Sequence, residues 1–110
     1  MIKIRVWHKL LEQYVPAHKH VVIDQNGEIG NDNVVVERFT GTIDKEGREI
    51  FQEDVVQCYD EELRVVEWCD ESGAFIMRHL PDSDYIDNLF MEDGQLLIVG
   101  NTNEGWRNRL

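Results

Sequence analysis

The sequence of 110 residues lacks a hydrophobic run long enough to cross a membrane, and its first residues do not resemble an apolar leader. Its apolar runs extend over only a few residues, whereas a membrane-spanning helix needs about 20. Residues 2–6 alternate apolar and basic side chains, unlike the continuous apolar stretch of a secretory signal. The sequence therefore predicts a soluble, cytoplasmic protein with no membrane partner.

Cysteine is scarce, and catalytic signatures are missing from the sequence. Cys58 and Cys69 form no CxxC pair, and no further cysteine stands at the spacing of a zinc site. Disulfides are rare in the reducing cytoplasm, so we expect two free thiols. The sequence contains no GxSxG nucleophile motif and no glycine-rich phosphate loop. We therefore expect neither an enzymatic activity nor a cofactor.

Basic side chains are half as numerous as acidic ones, 11 against 22, which gives a formal net charge of -11. Residues 1–20 are basic, and the acidic excess lies in residues 21–105. Because nucleic-acid affinity depends largely on Lys and Arg, this composition argues against a nucleic-acid partner. It favours basic partners and solubility, and a solvated surface without a specific role is the simpler alternative.

Short, β-branched segments separated by turn residues indicate a mainly β protein. Residues 2–7 alternate with the two-residue period of a half-buried strand, and residues 34–39 are rich in valine. Residues 54–59, 63–69 and 74–78 form a predicted meander with acidic turns between its strands. Turns every eight to twelve residues are typical of a small barrel or sandwich, so we predict a small barrel in the C-terminal half.

One short helix is predicted near residues 84–91, where apolar side chains recur at helical spacing behind a Ser or Asp N-cap. The apolar run 95–99 is predicted to be a last, central strand. We expect a single domain over residues 1–110, with N-terminal strands in 1–38, a barrel core in 39–103 and a tail in 104–110.

Carboxylates crowd the predicted turns and are the first candidate binding residues. Acid–base or two-metal chemistry needs carboxylates held together in a cleft, whereas neighbours along a turn point into water. A carboxylate-based hydrolase is therefore the weakest hypothesis, and contact with a partner protein is preferred. The candidate partner-binding residues are Asp60, Glu61, Glu62, Asp70 and Glu71.

A basic strip on the first strand is the second candidate. Lys3, Arg5 and Trp7 share one face of that strand, and Lys9 and Lys19 follow it. Such a strip could hold a nucleic-acid backbone and stack a base. It could equally contact the acidic surface of a second copy, which the charge distribution favours, so a homo-oligomer is also predicted.

Histidines near the N-terminus suggest a metal site only weakly. His18 and His20 could share one strand face, with His8 or Glu12 as a third ligand. Metal binding needs several converging ligands, and ordinary surface histidines beside Lys19 satisfy the pattern as well. We therefore expect no metal.

Residues 40–56 read T-G-T-I-D-K-E-G-R-E-I-F-Q-E-D-V-V, which resembles the YopX family pattern T-G-L-x-D-K-N-G-K-E-I-Y-E-G-D-I-V. Residues 5–7 resemble that family's opening R-A-W, and residues 98–101 its closing V-I-G-N. The departures are Glu53 in place of a glycine that favours positive φ, Thr102 in place of a large apolar residue, and Gly105-Trp106 where a proline is expected.

The resemblance implies a mostly β fold whose C-terminal half is a small SH3-like barrel. YopX proteins occur in phages and prophages of Gram-positive bacteria, and the resemblance brings no activity with it. The leading hypothesis is therefore a phage or prophage accessory protein that binds a host or phage protein without catalysis. A nucleic-acid-binding module is the alternative.

Overall fold

A computed structural model describes residues 3–16, 33–58, 61–80, 86–89 and 95–104. The described residues are mostly in β-strands, which confirms the predicted fold class. Within them, no helix has the length and hydropathy of a membrane span. The strands, followed by a 3-10 turn at Thr102–Glu104, are β1 Ile4–His8, β2 Gln13–Val15, β3 Val34–Ile43, β4 Glu49–Phe51, β5 Asp54–Gln57, β6 Leu63–Cys69, β7 Ala74–His79, β8 Ile86–Asn88 and β9 Leu97–Asn101.

The chain divides into two compact units, Met1–Arg38 and Phe39–Leu110. In the first unit, β1 pairs antiparallel with β2 and with the first half of β3. Val6, at the centre of β1, is fully buried, and its neighbours along the strand are half-buried. The alternation seen in the sequence therefore produces the predicted half-buried strand. A single domain over the whole chain stays a prediction.

The second unit contains an antiparallel sheet in the order β8-β7-β6-β5-β9. Strands β5 to β8 follow one another as a meander, and β9 returns to pair with β5. In the same unit, the second half of β3 pairs with β4. The predicted meander is thus present, whereas the SH3-like barrel stays a prediction. The run 95–99 was predicted to be a central strand, which is wrong for the described residues, because β9 ends the order of this sheet.

One face of this sheet supports the hydrophobic core of the second unit. Val66 of β6 and Met77 of β7 lie directly opposite each other and are both fully buried. Phe75 and Ile98 pack against the cluster from its margin. The buried core residues are Ile50, Val56, Cys58, Val66, Met77, Leu89 and Leu96.

The helix predicted near residues 84–91 is wrong over residues 86–88, which form β8. Ile86 pairs with Arg78 of β7, and Asn88 pairs with Ile76. A helix of two turns is marginal in water, whereas the edge of β7 offers backbone hydrogen bonds to any extended neighbour. Leu89 is fully buried while Ile86 is half exposed, so these two residues do not share the apolar face that a helix would give them. Residues 84, 85, 90 and 91 lie outside the described residues.

Glu53 adopts the left-handed conformation anticipated from the glycine of the family pattern, with φ of 75°. Its backbone N–H donates to the carbonyl of Val66, at 2.8 Å, and its own carbonyl accepts from the N–H of Thr102, at 2.9 Å. The Glu53 carboxylate also accepts a hydrogen bond from the Thr102 hydroxyl. Two of the three departures from the family pattern therefore meet in one contact, which partly offsets the cost of a side chain at positive φ.

We expect Thr102→Val to lower the free energy of unfolding by about 1 kcal/mol, because the Glu53 carboxylate loses its hydroxyl partner. In a Glu53→Gly background the same substitution should cost almost nothing, since no carboxylate remains there. A double-mutant cycle from urea unfolding measures this coupling. Equal costs in the two backgrounds would show that the contact has no energetic role.

Candidate functional site

The β6–β7 hairpin carries one of the acidic turns selected from the sequence. The indole N–H of Trp68 donates to Asp70 Oδ1 at 2.8 Å, so one of the turn carboxylates is held by the hairpin itself. Gly73 closes the turn with φ of 64°, and its N–H donates to the carbonyl of Cys69 at 2.9 Å. Glu71 is exposed in the middle of the turn.

A groove of about 540 Å³ opens beside this turn. Its apolar lining comes from neighbouring strands, because Cys69 of β6 lies opposite Ala74 of β7 and β8 follows β7 in the sheet. Glu71 and Asp87 are the acidic residues of the lining. Asp87 lies opposite Met77, so its carboxylate leaves the strand on the face away from Ile86. The groove is lined by Cys69, Glu71, Ser72, Ala74, Ile76, Ile86 and Asp87.

The groove lies on the sheet face opposite the core. Side chains alternate along a strand, so Ile76 points away from the side on which Met77 is buried. Ile76 is nevertheless only 8% exposed, while Ile86 on the edge strand is 51% exposed. The groove therefore has a covered apolar floor and an uncovered apolar edge. The sequence assigned Ile86 to a helix, and for that reason this neighbourhood could not be recognised from it.

Cys69 gives the groove a thiol whose pKa lies below the ordinary value of 9.0. Hydrogen bonds from the side chain and backbone of Ser72 stabilise the thiolate and are the main cause. Both cysteines are free, as predicted, and Cys58 is buried in the core. The described residues contain no cluster of His, Cys, Asp or Glu that could hold a metal ion.

A network of charged groups lies at the other end of β7. His79 Nε2 is 2.6 Å from Asp87 Oδ2, and Arg64 Nε lies 3.0 Å from the same oxygen. The other ring nitrogen, Nδ1, is 3.3 Å from a carboxylate oxygen of Glu62. One guanidinium and one imidazole thus contact two carboxylates at this end of the sheet.

The structure does not bring the two predicted acidic turns together. Glu61 and Glu62 precede β6, whereas Asp70 and Glu71 follow it. The seven residues of β6 separate them by about 20 Å along the strand. Glu61 has φ of 67° and is exposed, and Glu62 contacts His79. Asp60 lies outside the described residues.

The basic strip on β1 is occupied by contacts within the first unit. Arg5 Nε lies 2.7 Å from Glu37 Oε1, and the Glu37 side chain is fully buried. The Arg5 guanidinium also lies 4.6 Å from the centre of the Tyr14 ring, whose hydroxyl donates to Glu37 Oε1 at 3.0 Å. Trp7 packs edge to face on Tyr14, with ring centres 5.0 Å apart. Lys3 is exposed and has further contacts.

The side chains of the strip therefore belong to a network of paired groups. The acidic residue of this network, Glu37, was not identified from the sequence. Glu37 directly follows three valines, which is a signal for a buried carboxylate. That signal can be recognised only once β1 is known to pair with β3. Of the remaining N-terminal candidates, Lys9 and Glu12 are exposed, and His8 Nδ1 accepts from the Leu11 N–H at 3.2 Å. Lys19, His18 and His20 lie outside the described residues.

Comparison with known proteins supports this description of the fold. The family model described as YopX protein matches residues 3–105. The crystal structure of protein EF1440 from Enterococcus faecalis is similar to this chain, with a TM-score of 0.62 and 22% sequence identity. That similarity covers 98% of this chain and 97% of the other. At this identity it shows a shared fold and nothing further. No curated protein matches the sequence.

Proposed function

The chain belongs to the YopX family, and we propose that it is a non-enzymatic module that binds another protein in the groove beside β8. The partner is a host or phage protein that presents a segment with apolar and basic side chains. The exposed Ile86 edge of an otherwise covered apolar groove carries this proposal. Concave apolar surfaces with a few polar groups are typical ligand sites, and one that lies beside a sheet edge suits an extended peptide.

Charge supports a basic partner. Glu71 lines the groove, Asp87 lies on its edge strand, and the whole chain has a formal net charge of -11. Opposite charges accelerate association and select among partners more than they add affinity. Added salt should therefore slow binding while leaving the apolar contact in place.

A catalytic role for the groove has less support. Cys69 is a thiol of lowered pKa, but a thiol nucleophile commonly works with an imidazole base. The groove lining includes no histidine, and His79 is at the far end of β7 from the turn that holds Cys69. The proposal of binding without chemistry rests on this separation.

The nucleic-acid alternative also loses support from the contacts of Arg5. Its guanidinium is paired with the buried Glu37, so its charge is compensated within the unit. Phosphate binding depends on cations that can displace counterions. Gel mobility shifts with DNA and RNA at low salt should show no complex, and a stable complex there would make nucleic acid the preferred partner.

Selection from a random displayed peptide library tests the proposed function. We expect enriched peptides to bind the purified protein and to lose about tenfold in affinity with Ile86→Ser, because the exposed apolar edge is removed. Ile43→Ser is a matched control, since Ile43 is 49% exposed on β3 and does not line the groove. Absence of enriched peptides, or equal losses from both substitutions, would overturn the proposal.

A further inference from the structure

We infer that the partner segment binds as an additional β-strand on the outer edge of β8, with apolar side chains alternating with basic ones. This inference rests on the proposed function and adds the conformation and chemistry of the bound segment. It commits to an extended basic segment of a partner protein as the occupant.

The outer edge of β8 provides the backbone groups for such pairing. Within the described residues, β8 ends the order of its sheet and pairs only with β7. A strand in that position directs part of its N–H and C=O groups away from the sheet, where an extended peptide can bond to them. Backbone pairing supplies affinity with little dependence on sequence. The side chains on either face of β8 then determine which peptide fits.

On the groove side, an added strand would place every second side chain beside Ile86. Neighbouring side chains on one sheet face interact most favourably when both are apolar and β-branched or aromatic. Ile86 is 51% exposed, and Ala74 and Ile76 continue the apolar surface behind it. The positions of the partner that face the groove should therefore be apolar, with valine or isoleucine preferred.

On the other face, the added side chains would lie beside Asp87, whose side chain is 39% exposed. Its contacts with His79 and Arg64 both use Oδ2. Oδ1 takes no part in those two contacts, and a carboxylate accepts several hydrogen bonds. Glu71 adds a negative group on the groove side of the sheet. Alternating lysine or arginine can bond to the Asp87 carboxylate and is attracted by the surrounding negative charge, while a second copy of this acidic chain would be repelled.

Three capped synthetic heptapeptides test the inference with the full chain. The first alternates lysine and valine, the second alternates lysine and serine, and the third repeats the first with every backbone amide methylated. We expect the second to bind about tenfold more weakly than the first, because it lacks apolar contacts. The methylated peptide should also lose about tenfold, because none of its backbone amides can donate a hydrogen bond to β8. The first peptide should slow hydrogen exchange of outward-facing amides in Ile86–Asn88.

Substitutions locate the complex. Ile86→Ser should weaken binding of the lysine–valine peptide about tenfold, and Ile43→Ser should leave it unchanged. Glu71→Lys should weaken it more than Glu12→Lys, which changes the net charge equally but lies in the first unit, outside the groove. Equal effects of the two charge reversals would show attraction to net charge alone and overturn the inference.

The outcomes separate this inference from the proposed function. The methylated peptide could bind as tightly as the first peptide while Ile86→Ser still weakens binding. That result would overturn strand addition but leave binding in the groove intact. If the enriched library peptides lack basic residues, only the basic character inferred for the partner segment is overturned. If the chain forms a dimer and Ile86→Ser abolishes it, the edge of β8 binds a second copy of the chain and the inference is overturned. If neither the library nor the designed peptide binds, both proposals fail.

Discussion

Asp44→Ala should lower the free energy of unfolding of the second unit by about 3–5 kcal/mol. The Asp44 residue is 2% exposed. Its Oδ1 accepts the backbone N–H groups of Glu46, at 2.9 Å, and of Arg48, at 2.8 Å. Its Oδ2 accepts the N–H of Ile98 at 3.1 Å and Arg48 Nε at 3.0 Å. Each buried N–H left without an acceptor costs about 1–3 kcal/mol, so the loss of this single carboxylate adds several such costs.

The carboxylate of Asp44 joins two parts of the chain that are distant in sequence. It organises the turn before β4, and through Ile98 it fixes β9 beside that turn. The guanidinium of Arg48 reinforces the link by donating to the Ile98 carbonyl at 2.8 Å. Urea unfolding measures the effect, with Glu46→Ala as a control on an exposed carboxylate in the same turn. The control should change stability by about 0.5 kcal/mol or less. Similar losses from both substitutions would contradict the role given to Asp44.

The same site predicts a dependence of stability on pH. Burial disfavours the charged carboxylate, but bonds from the N–H groups of Arg48, Ile98 and Glu46, with the Arg48 charge, together hold the pKa of Asp44 below its ordinary value of 3.8. The stabilisation from this carboxylate is therefore complete above the unfolded-state pKa and decreases as pH falls through the folded-state pKa. Asp44→Asn should remove this part of the acid dependence, because the amide does not titrate in that range.

The sequence predicts those features that depend on neighbouring residues. Strands β6 and β7 have β-branched runs between polar turns, and the positive φ of Glu53 was anticipated from the family pattern. Residues 45–48 also have turn chemistry in the sequence, with Gly47 before Arg48. Such local signals could not show that Asp44 bonds to Ile98, because that contact joins positions 54 apart. The turn was therefore predictable, while its most important acceptor was not.

The groove is a second example of a feature that the sequence predicts only in part. Glu71 was selected because acidic turn residues are exposed, and it does line the groove. Ile86 was missed because its segment has apolar residues compatible with both a helical and an extended period. The choice between them depends on the available edge of β7, a property of the folded sheet. Sequence thus predicted one charged member of the candidate site and not its apolar edge.

Arg5→Leu should destabilise the first unit by about 3–5 kcal/mol, because it leaves the buried Glu37 carboxylate without its cation. The Glu37 side chain is fully buried and its carboxylate lies 2.7 Å from Arg5 Nε, while the Arg5 side chain remains 21% exposed. The Tyr14 hydroxyl still donates to the carboxylate, but a neutral donor does not replace the charge. Hydrogen exchange of the β1 amides measures the loss within this unit.

The double variant Arg5→Leu/Glu37→Leu distinguishes a lost ion pair from damaged packing. Replacing both members of a buried pair by apolar side chains is often close to neutral, so we expect it to recover most of the stability lost in Arg5→Leu. Glu12→Leu, on an exposed carboxylate of the same unit, should change protection of β1 little. No recovery in the double variant would mean that Arg5 acts through its packing on Tyr14. Recovery would show that the arginine on this strand serves the buried Glu37 carboxylate.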